Sequence, residues 1–176
     1  MQGFTKHQEA RSPSFIADDG TLSFGRKEID SLVQLAQTGT GVARVCMHRS
    51  VQDGLHSMLV AQTSLRYWKP KRHVDKFKLF HIVRGSMLVV LFDEQGQVFY
   101  SEVLEPKDRL SVLVPANTFH TNIALTEVVV HHEVIEGPYT PDETGRELAD
   151  FAPSESDSVA STRYVHELAT KRVRAK

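Results

Sequence analysis

The chain has 176 residues, 40% of them apolar, and a formal net charge of −1 at pH 7. That length suits one packed domain, and the near-neutral balance excludes a disordered polyelectrolyte and speaks against a dedicated nucleic-acid binder. A single cysteine, Cys46, rules out an intrachain disulfide framework and fits a reducing compartment.

The opening MQGFTKHQEARSPSF has no long apolar run, so a secretory signal is not expected. The most apolar run, Ser86 to Phe92, is far too short to span a bilayer. These features predict a soluble cytoplasmic protein with neither nucleic acid nor membrane as partner. Residues 1–14 are polar and without period, and read as a loose tail. Pro13 to Phe24 is predicted to hold a short extended piece with a turn at Asp18-Asp19-Gly20. From Arg26 to Thr38, Ile29, Leu32, Val33, Leu35 and Ala36 recur at helical spacing, and Gly39 and Gly41 end the helix.

From Val42 onward the pattern changes to short strands. Arg44, Cys46 and His48 alternate with Ala43, Val45 and Met47 on a first strand. Ser57 to Arg66 forms a second. Phe77 to Val83 is apolar at most positions and is predicted to be covered on both faces. Met87 to Phe92 and Gln97 to Leu104 flank the four-residue loop Asp93-Glu94-Gln95-Gly96, as in a hairpin. Leu110 to Val114, Phe119 to Leu125 and Val128 to Ile135 follow, and Gly137-Pro138 breaks the last strand. Short strands at intervals of roughly ten residues indicate an all-β sandwich or barrel. Thr140 to Asp157 is polar and reads as loop. Ser158 to Lys176 reads as a docked or frayed helix, or, through its basic end KRVRAK, as a tail for an acidic partner.

The chemistry concentrates in Lys69 to Gly85 (KPKRHVDKFKLFHIVRG) and Val114 to Asn122 (VPANTFHTN). Lys71 and His73 share a strand face, as do His120 and Asn122 on a distant strand. Two imidazoles from separate strands can hold a divalent metal, and two ordinary barrel histidines can look the same. Alternation puts His81 on the outer face. It leaves open which of His131 and His132 faces inward. Cys46 reads as a buried structural thiol. No nucleophilic triad order, phosphate loop or dinucleotide fingerprint is present.

The sequence is similar to the cupins on two motifs. The first cupin motif, His-x-His, three or four residues, Glu, six residues, Gly, is matched by Lys71-Arg72-His73, Lys78 and Gly85. The second, Gly, five to seven residues, Pro-x-Gly-x-x-His, is matched by Lys107 and Pro115-Ala116-Asn117-Thr118-Phe119-His120. Asn117 takes a glycine position, which suits asparagine's tolerance of positive φ. The chain more closely resembles the WbuC-type cupins of O-antigen polysaccharide clusters. That likeness rests on Arg44 and His48, Pro70-x-Arg72-His73 with Lys76, Phe92-Asp93-x-x-Gly96, Val114-Pro115, Glu136-Gly137-Pro138-Tyr139 and Ala152-Pro153-x-Glu155, over residues 42–155. It implies a cupin jelly-roll barrel (a double-stranded β-helix) at 42–139, an N-terminal tail and helix at 1–41, and a helical or loose C-terminal extension at 140–176. A homodimer is expected, with the N-terminal extended piece pairing across it.

The departures from the family fall on its ligands. Lysines stand at 71 and 78 where histidine and a carboxylate are the rule, and a protonated lysine offers a metal no lone pair. Two like charges about 5 Å apart repel by roughly 3 kcal/mol at an effective dielectric of 20. Three readings follow. In the first, Lys71 and Lys78 replace the cation, His73 and His120 donate hydrogen bonds, and the pocket, with Asn122 and His48, binds a small anionic or sugar-derived ligand. In the second, His73 and His120 weakly bind a divalent metal with help from His48, His132 or water, in an isomerase, epimerase or oxygenase. In the third, the site is inert and the protein is an interaction module. The cofactor expectation is none, or a weakly held divalent metal.

Overall fold

The structure is a computed structural model, and it describes residues 4–7, 12–18, 20, 23–139 and 146–170. Two β-sheets face each other, with a helix on the outside of each. The larger sheet is ordered β1 (Phe4–Lys6), β2 (Ser14–Ala17), β3 (Val42–Cys46), β4 (Leu55–Thr63), β11 (Val128–Glu136), β6 (Lys78–Arg84) and β9 (Ser111–Val114). The smaller is ordered β12 (Arg146–Leu148), β5 (Lys71–His73), β10 (Phe119–Ala124), β7 (Met87–Phe92) and β8 (Val98–Leu104). The all-β barrel expected from the strand spacing is the observed architecture.

Helix α1 (Arg26–Thr38) has the predicted limits. The Glu28 carboxylate accepts the Gly25 N–H at 2.8 Å and closes the first turn. Its buried Leu32, Val33 and Ala36 pack on Ala43, Val45, Leu59, Ala61 and Val130, on the outer face of the large sheet. Helix α2 (Ser158–Thr170) docks Val165 and Leu168 against Leu88, Val90, Phe92 and Ile123, on the outer face of the small sheet. The reading of Ser158 onward as a docked helix holds to Thr170, and KRVRAK lies outside the described residues.

Several expectations are corrected. The strand buried on both faces is β7, all six residues of which are buried, because α2 covers its outer side. In β6, by contrast, Lys78, Phe80 and Ile82 are buried while Leu79, His81 and Val83 are only partly so. The supposed loose tail contributes β1, which pairs with β2. Strand β2 pairs in parallel with β3 of its own chain, so the edge foreseen as reaching across a dimer is used within the chain. The loop at 140–157 contains β12, paired with β5, while residues 140–145 and Asp19 of the foreseen turn lie outside the described residues.

Between the sheets the interior divides in two. At one end Ile82, Met87, Val89, Leu91, Leu104, Val112 and Ala124 fill the space with apolar side chains. At the other end the same strands turn polar side chains inward and leave a cavity.

Candidate functional site

The cavity has a volume of about 110 Å³. Its lining comes from both sheets: Arg44 from β3, Met58, Val60 and Gln62 from β4, Lys78 and Phe80 from β6, and His131 and Glu133 from β11. The small sheet contributes Lys71 from β5 and His120, Thr121 and Asn122 from β10, with Trp68 and Lys69 from the segment before β5. Strand pairing explains the convergence, because Lys71 lies directly opposite His120. The turn into β10 is pinned by Asn117, whose φ is +57 and whose N–H donates to the His73 carbonyl at 2.7 Å. The asparagine in the glycine position of the second motif therefore has the left-handed conformation expected of it.

Lys71, Lys78, His120 and Asn122 all line the cavity as their spacing predicted. His73 stands at its margin, its ring centroid 6.0 Å from that of His120. His48 is a correction. Strand β3 ends at Cys46, the chain turns, and His48 stacks on His56 with centroids 4.2 Å apart, outside the cavity lining. His132 also points away, with Nε2 2.8 Å from Ser57 Oγ, whereas His131 lies inside. His81 is on the outer face as predicted, with Nδ1 2.7 Å from Ser111 Oγ. Cys46 is buried, and that burial pushes its thiol up to about 11.

Glu133 is the residue that sequence reasoning passed over. Its Oε1 lies 3.1 Å from Lys78 Nζ, and its Oε2 lies 3.8 Å from His131 Nε2. Burial works to raise this carboxyl, but Lys78 and His131 outweigh it and hold it well below the usual carboxylate range. The Lys78 ammonium is thus matched by a carboxylate. Lys71 has no such match, and its amine makes no hydrogen bond or ion pair with a described residue. Burial first, and the neighbouring Lys78 second, lower it from 10.5 to about 7. His73 falls to about 3, through burial and then the charges of Lys78 and Lys71. His120 is held well below its usual value by burial and Lys78. Phe80 supplies the apolar surface beneath, 6.2 Å from the His120 ring and 5.6 Å from His131.

The hydrogen bonds that are present assign roles to the groups left without partners. Thr118 O, which can only accept, lies 2.9 Å from His120 Nδ1, so Nδ1 carries the proton and Nε2 is a bare lone pair. The expectation that His120 donates a hydrogen bond into the pocket is thereby corrected, since the nitrogen left over can only accept one. Gln62 Oε1 receives Trp68 Nε1–H at 3.1 Å and Asn122 Nδ2–H at 3.2 Å. Those two donors fix the amide's orientation and leave Gln62 Nε2 unbonded. Buried atoms without partners therefore include the donors Arg44 Nε and Gln62 Nε2 and the acceptor His120 Nε2, along with His73 Nε2 and His131 Nδ1. Buried polar groups are normally satisfied, and five such atoms around one cavity mark a place built for something polar.

A divalent metal does not fit this donor set. Among the described residues no three histidine, cysteine or acidic side chains are grouped to hold an ion. Glu133, the nearby carboxylate, is taken by Lys78. His73 and His120 alone would face two lysine amines.

The buried histidines make acid the destabilising condition. A histidine whose folded value lies below its unfolded 6.5 takes up its proton only on unfolding, so stability falls as pH drops below about 6.5 and keeps falling toward 3 for His73. Glu133 acts in the same direction, its contribution being present above 4.5 and lost as pH falls toward its lowered value. The urea midpoint is expected to be lower at pH 5 than at pH 7 in the wild type. The loss should shrink in His73→Phe, and an equal loss in that variant would count against this assignment.

Comparisons with known proteins follow the geometry. A protein-family profile described as a domain of unknown function (DUF6016) matches residues 26–104, less than half of the chain. No curated protein matches the sequence. Among solved structures, protein SO0799 from Shewanella oneidensis is similar over 76% of this chain and 87% of its own, at 13% identity and a TM-score of 0.52. The capsular polysaccharide assembling protein CapF from Staphylococcus aureus is similar over 60% of this chain, at 11% identity and a TM-score of 0.53. The match takes in only 29% of the CapF chain, so this protein corresponds to less than a third of that one. The salicylate 1,2-dioxygenase from Pseudoaminobacter salicylatoxidans is similar over 72% of this chain and 37% of its own, at 13% identity and a TM-score of 0.52. Identities this low speak to the fold alone. Two facing sheets, paired as described and shared with these structures, make the fold of this chain the cupin β-barrel.

Proposed function

We propose that the barrel cavity binds a compact, hydroxylated anion derived from a sugar, and that the protein serves polysaccharide or nucleotide-sugar metabolism as a WbuC-type cupin. One observation carries the reading. The unpaired donors Arg44 Nε and Gln62 Nε2 and the free Lys71 amine share a cavity with the unpaired acceptor His120 Nε2. A carboxylate or phosphate satisfies the donors, and a hydroxyl satisfies the imidazole. Glu133 is paired with Lys78, which leaves the Arg44 guanidinium without an ion pair among the described residues, so the cavity retains a bias toward anions. A space of about 110 Å³ suits a single sugar-acid unit or the end group of a larger ligand. The description of CapF as a capsular polysaccharide assembling protein accords with this context.

The test is thermal unfolding at neutral pH with glucuronate, and with glucose as the neutral control. Saturating glucuronate is expected to stabilise by about 2–3 kcal/mol at a hundredfold excess over Kd, while glucose shifts nothing. Arg44→Gln and Lys71→Met should each remove most of the glucuronate shift. An equal response to glucose, or an undiminished shift in both variants, would overturn the reading.

A further inference from the structure

The two cavity lysines are not equivalent. Lys78 is committed to Glu133 at 3.1 Å and is 4% exposed, so its ammonium is held as a structural charge. Lys71 lines the same cavity without an ion pair among the described residues, near that ammonium and opposite His120 across the β5–β10 pair. A primary amine that is desolvated and set next to a second cation resists protonation and keeps its lone pair. A lysine kept only to bind an anion would gain from full charge, and this surrounding works against it.

We propose that Lys71 forms an imine with the carbonyl carbon of a small oxo acid or of the open-chain form of a sugar acid. This rests on the ligand reading above and adds a covalent step to it. The Lys71 Nζ lone pair forms the N–C bond while the carbonyl π pair moves to oxygen, which takes up one of the two protons of the nitrogen and gives a neutral carbinolamine. The nitrogen gives up its remaining proton to His120 Nε2, the bare acceptor of the residue paired with Lys71 across β5 and β10. That proton returns to the hydroxyl, which leaves as water as the C=N bond forms. One amine and one carbonyl yield one imine and one water, with no oxidant or reductant. Arg44 and Gln62 hold the carboxylate of the same ligand, and Lys78 and Glu133 keep the electrostatic surroundings of the amine fixed.

Sodium borohydride traps an imine as a stable secondary amine. The full chain is incubated with pyruvate or glucuronate, reduced, and read by intact mass and peptide mapping. A single adduct on the peptide containing Lys71 is expected, with yield reduced about tenfold or more in Lys71→Met, as befits loss of the one activated amine. Adducts spread over surface lysines, or an undiminished yield in Lys71→Met, overturn the proposal. The glucuronate thermal shift, measured without borohydride, separates the two readings. A shift without an adduct rejects the imine and leaves ligand binding standing. An adduct without a shift supports the imine and rejects the hydroxylated-anion ligand. Failure of both rejects both.

Discussion

Lys71→Met is expected to make the protein harder to unfold. Methionine has a similar length and needs no hydration, whereas the Lys71 amine sits near another cation and has no hydrogen-bond or ion-pair partner among the described residues. The fall from 10.5 to about 7 sets an upper bound of about 5 kcal/mol on that cost. Water admitted by the cavity screens this to about 1–3 kcal/mol. Below pH 7 the lysine is charged in both folded and unfolded chains, so the variant shows its full gain. Between 7 and 10.5 only the unfolded chain holds the proton, and the wild type recovers as pH rises; above 10.5 the gain is gone. Urea midpoints of both proteins at pH 6, 8 and 10 measure this directly. A variant less stable than wild type at pH 6 contradicts it. A gain in stability accompanied by loss of ligand binding is the pattern of a residue retained for function against its cost to the fold.

Lys78→Met is expected to act in the opposite direction, lowering stability by about 3–5 kcal/mol. The substitution removes the partner of a carboxylate that is only 18% exposed and leaves an unmatched charge between the sheets. Glu133→Gln alone should also destabilise, by leaving Lys78 unmatched. The double variant Lys78→Met/Glu133→Gln is expected to recover much of the loss, because both charges leave together. A double-mutant cycle in urea reads the coupling, and additive losses would reject the pair as a structural unit. Two lysines seven residues apart, lining one cavity, thus carry opposite signs in stability. The difference comes from one carboxylate.

That carboxylate shows where sequence reasoning stopped. Lys71, His73, Lys78, His120 and Asn122 were legible because each sits on a regular strand where alternation assigns the face, and because the motif spacing ties β5, β6 and β10 together. Glu133 lies on β11, where Val129, His131 and Glu133 face inward in regular alternation and Val130 faces α1. The run VVVHHE would place apolar or imidazole side chains on either face, so alternation alone does not say which set points inward. Arg44 was visible only through the family likeness, and Gln62 had no signal at all. Its role comes from two donors, Trp68 and Asn122, that reach it from other parts of the chain. The misplacement of His48 has the reverse origin. Alternation was extended past Cys46, where β3 ends and the hydrogen bonding that enforces it stops.

The residue order alone determined the elements with strong local cause: α1 with its apolar stripe, the strands between turn residues, the left-handed Asn117, and the lysines at 71 and 78 on the strands that line the cavity. Their consequences for charge were decided by tertiary packing. Whether an ammonium is matched depends on which strand lies beside it and at what register. Here β11 brings Glu133 within ion-pair distance of Lys78, while its effect on Lys71 is the weaker one of a more distant charge. Local propensity acts over a few residues, while the field within a cavity is summed over side chains brought together from six strands.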